Sequence, residues 1–403
     1  MFSIINFGDK AVLGLAGPSI IRDLHLSNAR FGVIGSGFYL LFSLSALLVG
    51  LAGGRWSASW LLTGMALLWS AAQLPILLPA AGFTVLIVTR VALGAGEGPG
   101  LPIANHVAFT WFPVPERTTV AGVITLGGAL GVILGGPLLE AAIRFAGWRW
   151  SFGLLGLAGL VWALLWGRLG GEGGYVATGP GAGVMVPLGA ILASPTWISG
   201  AVAGFTGNWA LGLGLSWLPT FLEHRGGYTA TTVGFLIGLP SLVAVISVPT
   251  VVYLAYRRRI AGRSSHSTYA LLGFGAAFVP ACGLVAMTLT PPGPALLVSV
   301  AIAFGAGFAL APLTSAAIAD LVPIERREVA LCLGTALSSL GAVLSPWANG
   351  WLLDHAATEA AGFDHVFRLA AAMALLGGAS LLFLNPAKDG EHLLRLGTPR
   401  LEP

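Results

Sequence analysis

The feature that most constrains this chain is a series of long apolar segments. Twelve windows follow one another, each with roughly the 20 mostly apolar residues that an α-helix needs to cross a bilayer. Only 9% of the 403 residues are charged, whereas a soluble globular protein has about 25%. The sequence therefore predicts an all-α membrane protein with twelve transmembrane helices. The predicted spans are 2–21, 30–53, 59–80, 83–112, 118–142, 148–168, 195–222, 229–256, 268–289, 293–319, 327–353 and 363–385.

Basic residues in the loops predict the orientation. With a cytoplasmic N-terminus, the cytoplasmic loops and tail hold twelve Arg and Lys residues and the outer loops and helix ends hold six. This is the bias of the positive-inside rule, and the cluster at 257–263 contributes most of it. We expect a multi-pass protein of the plasma or bacterial inner membrane with both termini in the cytoplasm. The basic balance is explained by the loops, so no nucleic-acid partner is expected.

A glycine-rich stretch divides the chain between spans six and seven. Residues 169–187 contain seven glycines and no segment that could bury a core, which is typical of a flexible linker. We predict an N-terminal six-helix half at 1–168, a cytoplasmic linker at 169–188, a C-terminal six-helix half at 189–385 and a cytoplasmic tail at 386–403.

The two halves share a motif. Glu116 and Glu325, Arg117 and Arg326, and Pro137 and Pro346 are all related by one offset of 209 residues. A duplicated six-helix unit in parallel orientation explains this offset, and chance similarity in a proline-rich chain is the alternative. Duplicated membrane folds of this kind bind their ligand near the midplane, between the repeats.

Two charged residues lie inside the fourth span. Arg90 and Glu97 are seven residues apart and therefore share one face of a helix. A charge at the bilayer centre costs about 2.5–3.5 kcal/mol, so such residues usually face a polar cavity. Pro99, in the glycine-rich segment 94–102, should bend the helix beside them. Asn105 and His106 follow one to two turns later. In the alternative, Arg90 and Glu97 only hold helices together.

Asp9 and Lys10 form a second charged pair, in the first span. Neighbouring residues point about 100° apart on a helix, so the two cannot face the same partner. We expect one to face the cavity and the other to brace a neighbouring helix. In the alternative, both lie near the membrane boundary, where Lys10 reaches water.

The acidic and basic members of these four residues suggest two different roles, proton exchange and anion binding. Burial raises the pKa of a carboxyl and a nearby cation lowers it, so a buried acid between cations can exchange protons near neutral pH. Asp9 and Glu97 are therefore candidates for proton coupling. Lys10 and Arg90 favour an anionic solute, and the forked Arg side chain suits a carboxylate.

Further candidates for contact with the solute are Tyr39 in the second span, Asn208 and Trp217 in the seventh and Ser338 in the eleventh. Trp in such positions more often serves packing, and small polar residues usually support helix contacts. The sequence has no metal-ligand spacing, P-loop or nucleotide fingerprint, so we expect neither a metal nor a cofactor.

Several runs match the pattern of a known family. In the first span they are residues 6–13 and Pro18. In the fourth span and the loop after it they are Arg90, Gly94, Glu97, Pro99, Pro102, residues 111–113, Glu116 and Arg117. Elsewhere they are Gly136, Pro137, residues 147–149, 217–222, 239–240, Asp320, Pro323, Gly341, Pro346, Gly350 and Asp354. Over nearly its whole length the chain resembles the anion:cation symporters of the major facilitator superfamily.

The resemblance implies a monomeric transporter that imports organic anions such as sugar acids or aromatic acids together with protons, by alternating access. It implies that Asp9 and Glu97 carry protons, that Lys10 stands where the family has Arg, and that Arg90 is the fourth-helix cation. Some positions depart from the family pattern. Phe42 stands for Tyr, Ala46 for Gln and Ser338 for Asn, and Gly54 and Tyr256 replace two gating Asp residues. Fewer hydrogen-bonding groups favour a less hydroxylated anion than a sugar acid.

Two other functions compete with anion import. The stretch 135–137 weakly resembles an antiporter motif and would favour proton-driven efflux. A membrane-embedded enzyme or a solute sensor would need a catalytic set or a signalling domain, and the sequence contains neither. We therefore expect a transporter and not an enzyme, with a small organic anion, protons and the lipid bilayer as its partners.

Overall fold

The described part of the protein is almost entirely helical. The computed structural model describes residues 1–52, 57–109, 111, 117–173, 184–322, 324–396 and 398–399. Its helices are α1 (Phe2–Asp23), α2 (Asn28–Ala52), α3 (Ala58–Gln73), α4 (Phe83–Glu97), α5 (Gly100–Phe109), α6 (Arg117–Ala146), α7 (Trp148–Leu169), α8 (Leu188–Leu192), α9 (Pro195–His224), α10 (Ala230–Leu236), α11 (Leu239–Ile260), α12 (Ser265–Leu289), α13 (Pro294–Gly305), α14 (Leu310–Leu321), α15 (Ile324–Asp354), α16 (Glu359–Leu381) and α17 (Pro386–Leu396).

Each of the twelve predicted spans contains at least one described helix, and the twelve-helix membrane fold is confirmed. Within the described residues, nine helical runs are long and apolar enough to cross a bilayer. The fourth span is divided between α4 and α5, and the seventh and eleventh spans are formed by α9 and α15. Large apolar side chains such as Trp60, Leu138 and Ile246 are exposed on the outside of the bundle. An exposed apolar surface of this kind suits contact with lipid. Helices also form all their backbone hydrogen bonds internally, as the bilayer requires.

Both halves contain an interrupted span at the same place. The fourth span breaks between α4 and α5, at Gly98 and Pro99, as the glycine and proline residues predict. The tenth span breaks at a 3-10 segment, Ala306–Ala309, between α13 and α14. With the 209-residue offset, Ala306 is the position equivalent to Glu97. Pro346 inside α15 is likewise equivalent to Pro137 inside α6. The repeat predicted from sequence therefore recurs in the backbone.

The described contacts between the halves gather at one end of the bundle, where α1 ends and α2 begins; we call it the closed end. A Cβ at Gly14 of α1 would lie 2.1 Å from the carbonyl oxygen of Leu215 in α9. One at Gly32 of α2 would lie 2.3 Å from the carbonyl oxygen of Pro346 in α15. Since a side chain at either glycine would collide with backbone, these two residues permit a close approach of the halves.

The predicted tail is partly structured. Its first part forms α17, whose Asp389 carboxylate accepts hydrogen bonds at 2.9 Å and 2.6 Å from the backbone N–H and the hydroxyl of Thr196, at the start of α9. Residues 184–185 and 398–399 form a two-residue antiparallel pair. The helix α17, in the segment predicted as a cytoplasmic tail, is thus attached to the C-terminal half by a helix cap.

Candidate functional site

Asp9 is buried inside the N-terminal half. Its carboxylate is 0% exposed and accepts a hydrogen bond of 2.9 Å from the Gln73 side-chain amide of α3. Its backbone carbonyl accepts a hydrogen bond of 3.0 Å from the Arg90 guanidinium of α4. Asp9 therefore faces neighbouring helices of its own half and connects α1 to α3 and α4.

Lys10 forms an ion pair with a residue of α4. Its ammonium nitrogen lies 3.0 Å from a carboxylate oxygen of Glu97 in α4, and it also donates to the Asn6 side chain. The side chain of Lys10 is 9% exposed and that of Glu97 is 0% exposed. The pair thus joins α1 to α4, and its lysine is the most accessible of the four charged groups.

Three aromatic rings surround the Lys10 ammonium. Its distance to the ring centroid is 4.9 Å for Phe7 and 5.7 Å for each of Phe38 and Phe42. Cation–π attraction of this kind holds a lysine in a weakly hydrated position. The rings therefore keep the ammonium beside Glu97 and away from bulk water, where the boundary alternative would put it.

Two glycines, Gly94 in α4 and Gly98 directly after α4, allow this arrangement. A Cβ at Gly94 would lie 1.7 Å from the carbonyl oxygen of Phe38, and one at Gly98 would lie 2.1 Å from that of Phe42. Because neither glycine has a side chain, α2 can press directly against α4. The contact brings the aromatic residues of α2 over the Lys10–Glu97 pair.

Arg90 lies deeper than Lys10. It is 2% exposed, and its guanidinium carbon is 4.9 Å from the centroid of the Phe152 ring in α7. Its Nε and one terminal nitrogen have no hydrogen-bond partner among the described residues. Glu97 pairs with Lys10 across helices, so Arg90 and Glu97 do not form an ion pair with each other. Pairing with neighbouring helices remains compatible with the alternative in which both residues only hold helices together.

The four charges form one electrostatic unit. The carboxyls of Asp9 and Glu97 interact with each other and with both Lys10 and Arg90. When all four are ionised the cluster has no net charge. Because charge is costly at membrane depth, an added anion is tolerated best when an added proton balances it.

The other predicted residues are dispersed. Tyr39 is buried, interacts electrostatically with Glu97 and Arg90, and packs edge-on against Phe38. Asn105 and His106 lie on α5, but their side chains are outside the described part of the chain, as are Gly54, Glu116 and the side chains of Tyr256 and Glu325. The structure thus brings Tyr39, but none of the described candidates of the C-terminal half, into direct interaction with the charges.

In the C-terminal half, Trp217 is fully buried at the closed end and donates a hydrogen bond of 3.0 Å to the carbonyl of Pro346. It also packs edge-on against Phe31 of α2, so it contributes to packing between the halves. Ser338 donates to the carbonyl of Gly334 and packs on Gly204 of α9. Asn208 donates to the Gly204 carbonyl at 2.9 Å.

Asn208 lines a cavity of about 200 Å³ in the C-terminal half. The cavity lies between α9, α12, α16 and the interrupted tenth span, and the four charged residues are not part of its wall. Charge and cavity are therefore on opposite halves of the molecule.

Sequence reasoning missed two polar residues. Gln73, at the end of α3, is 1% exposed and holds Asp9; an amide inside an apolar span is the signal that could have identified it. Glu140 of α6 is buried and accepts a hydrogen bond of 3.2 Å from the Thr231 hydroxyl of α10. This acid near the end of the fifth span connects the two halves. Among the described residues, no cluster of three His, Cys, Asp or Glu could hold a metal ion.

The nearby glycine stretch 135–137 also has a structural role. A Cβ at Gly136 would lie 2.1 Å from the carbonyl oxygen of Gly234, so α6 and α10 cross closely there. The close contact between the halves explains why position 136 is a glycine, so an antiporter motif is not needed to explain it.

Comparison with known proteins agrees with this architecture. The chain is 28% identical to the hexuronate transporter of Bacillus subtilis over 95% of this chain and 92% of that protein. It is 26% identical to the D-galactonate transporter of Escherichia coli over 94% and 92%, and 24% identical to a probable sulfoacetate transporter of Cupriavidus necator over 95% and 91%.

Solved structures share the fold. An inward-facing bacterial homologue of the human lysosomal transporter Spinster matches with a TM-score of 0.74 at 19% identity, covering 100% of this chain and 97% of that one. A D-xylose–proton symporter matches with a TM-score of 0.72 at 14% identity, covering 96% and 97%. The family model of the Major Facilitator Superfamily matches residues 1–311. With twelve helices in two halves and relatives that are organic-anion transporters, this chain belongs to the major facilitator superfamily of membrane transporters and is not an enzyme.

Proposed function

We propose that this protein imports an organic anion together with a proton. The observation that carries the proposal is the ion pair of 3.0 Å between Lys10 and Glu97, the most accessible part of a buried cluster with no net charge. The relatives named for hexuronate, D-galactonate and sulfoacetate support an anionic solute.

Lys10 is the anion-binding group in this proposal. An incoming carboxylate replaces Glu97 as the partner of the ammonium, and the displaced Glu97 takes up a proton. One monoanion and one proton leave the cluster without net charge, so the loaded site crosses the membrane at the lowest electrostatic cost. Coupling follows because neither the anion alone nor the proton alone preserves this balance.

Asp9 and Arg90 have supporting roles. Arg90 holds the backbone of Asp9, while Gln73 holds its carboxylate. Because Asp9 interacts with Glu97, the two carboxylates repel each other when both are charged, which favours protonation of one of them.

Alternating access would move the halves about this site. The positive-inside bias supports a cytoplasmic N-terminus, which makes the closed end the outer end of the protein. The described geometry then corresponds to a state that is closed outside, in which the anion is released to the cytoplasm.

The test measures transport in proteoliposomes with radiolabelled galacturonate and benzoate. An imposed inward proton gradient should drive accumulation by the wild type. Glu97→Gln mimics the protonated acid, so it should lose gradient-driven accumulation but keep exchange of anion for anion. Anion leaving against an inward proton flux would instead support the antiporter.

Lys10 provides a matched comparison, because the chain has one other lysine, the exposed Lys388. Lys10→Ala should reduce both accumulation and exchange about thirtyfold or more, since loss of one member of a buried ion pair costs about 2–5 kcal/mol. Lys388→Ala should transport normally, and Lys10→Arg should restore exchange. Unchanged exchange by a folded Lys10→Ala protein would refute the anion site.

A further inference from the structure

We propose that the cavity of the C-terminal half binds the apolar body of the transported anion. The substrate would then be a carboxylate on a single hydrocarbon ring, or on a group of similar size, and not a polyhydroxylated sugar acid. This inference rests on the proposed function, because it names what the anion held by Lys10 carries at its other end.

The wall of the cavity is almost entirely apolar. Its eighteen residues include only three with polar side chains, Thr206, Asn208 and Thr314. Phe304 and Phe308 supply aromatic faces to the same wall. An apolar wall of this kind favours an apolar occupant, because a hydroxyl group buried there loses its hydrogen bonds to water.

Each of the three polar side chains donates one hydrogen bond within its own helix. The Thr206 hydroxyl donates to Ala203 at 3.0 Å, and the Thr314 hydroxyl to Leu310 at 3.0 Å. The amide of Asn208 donates to a carbonyl one turn earlier, as described above. A sugar acid has several hydroxyl groups that each need partners, and this wall has few to give them.

The register of α1 and α9 sets the cavity opposite the charged cluster. Gly14 meets Leu215, and Arg22 interacts with Glu223, so both contacts have the same offset and the two helices run parallel. Lys10 lies one turn before Gly14 in α1, and the cavity residue Leu211 lies one turn before Leu215 in α9. Since both are four residues from the contact, they lie on the facing sides at the same depth.

The duplicated break explains why the halves differ in chemistry. The interrupted fourth span presents Glu97 beside its break, and the equivalent position in the tenth span is Ala306. Gly307 and Phe308 of that 3-10 segment line the cavity. The N-terminal half thus supplies charge at the position where the C-terminal half supplies apolar surface, which suits a ligand with one charged end and one apolar end.

The cavity has the size of a single ring. Its volume is about 200 Å³, and an apolar cavity of about 150 Å³ engineered in another protein holds benzene. Because the carboxylate itself would remain at Lys10, the room in the C-terminal half is needed only for the body of the anion.

Gly207 offers a way to fill the cavity without disturbing the fold. It lines the cavity, and a Cβ added there meets no heavy atom within 4 Å. Gly275 of α12 has equally open surroundings but is not part of the cavity wall. Gly207→Leu is therefore the test variant and Gly275→Leu its matched control.

The experiment measures how benzoate, cyclohexanecarboxylate, galacturonate and acetate raise the melting temperature of the purified proteins, and derives affinities from the concentration dependence. The wild type should bind the two ring acids at least tenfold more tightly than galacturonate. Gly207→Leu should weaken the ring acids about tenfold or more, as expected for lost apolar space, but leave acetate unchanged. Gly275→Leu should behave as wild type.

Two results would overturn the inference alone. One is galacturonate binding as tightly as benzoate in the wild type. The other is unchanged benzoate affinity in Gly207→Leu, which would mean that the cavity holds something else, such as a lipid chain. Binding of no carboxylate by the wild type would overturn the proposed function as well.

Discussion

Asp354, the last residue of α15, connects the two halves at the closed end. Its carboxylate accepts hydrogen bonds of 3.0 Å and 2.7 Å from the backbone N–H groups of Asn28 and Ala29, which are the first residues of α2. A negative charge is favourable at a helix N-terminus, where free N–H groups and the helix dipole combine. We expect this contact to stabilise the closed end, and Asp354→Ala to open it.

The size of the effect follows from the two hydrogen bonds that Asp354→Ala removes. Removing an N-terminal cap costs about 0.5–2 kcal/mol. Ser27 keeps its own hydrogen bond to the N–H of Arg30, so α2 itself remains capped. The destabilisation therefore falls mainly on the interface between the halves, and about 1–2 kcal/mol would change the ratio of open to closed molecules roughly five- to thirtyfold.

A buried serine can report the opening. Ser216 of α9 is 4% exposed, and its hydroxyl oxygen lies 3.0 Å from a Cβ placed on Gly35 of α2. In a background with Cys282 and Cys332 replaced by Ser, Ser216→Cys should react with a soluble maleimide roughly five- to thirtyfold faster when Asp354 is Ala, in proportion to the open population.

The control is another carboxylate at the same end of the bundle. Asp364 lies 3.6 Å from Arg225, and both belong to the C-terminal half. Asp364→Ala should leave the reaction rate of the reporter unchanged. If the reporter cysteine reacts at the same rate in folded proteins with and without Asp354→Ala, the cap does not hold the halves together.

Two further predictions concern folding of the N-terminal half. Gly94→Ala should prevent stable folding, because its Cβ would lie 1.7 Å from the Phe38 carbonyl oxygen; Gly64→Ala, with no atom within 4 Å, should be neutral or stabilise by roughly 0.5–1 kcal/mol. Yield of monodisperse protein in detergent and its melting temperature measure both, and normal yield of Gly94→Ala would contradict the packing argument. Gln73→Leu removes the donor to Asp9 and should cost about 1–3 kcal/mol through an unpaired buried carboxylate; an unchanged melting temperature would show that this hydrogen bond contributes nothing.

The large features of the fold were predictable because they depend on local composition. A run of about 20 apolar residues forms a membrane helix almost regardless of its neighbours. The break in the fourth span was predictable for the same reason, since Pro99 acts on its own helix. Tail residues 386–396 were not predictable in this way, because α17 depends on a contact between Asp389 and Thr196, which lie 193 residues apart in the chain.

The candidate site was predicted in part. Four charges inside apolar spans identified the cluster. Glu97 interacts with both Asp9 and Lys10, which the angular separation of these two neighbours did not predict. The pairing of Glu97 with Lys10, and the burial of Arg90 against Phe152, were not predictable. Sequence spacing describes neighbours along one helix, whereas these partners stand on different helices.

By itself, the sequence determined that this protein is a twelve-helix membrane transporter with a charged cluster in one half. Only the tertiary structure decided that Lys10 is the accessible cation, that Gln73 holds Asp9, and that an apolar cavity lies opposite in the other half. The physical reason is that hydropathy and helix periodicity act within a segment of chain. Partners of a buried charge are chosen by how helices approach one another, and here glycines such as Gly94 set that approach.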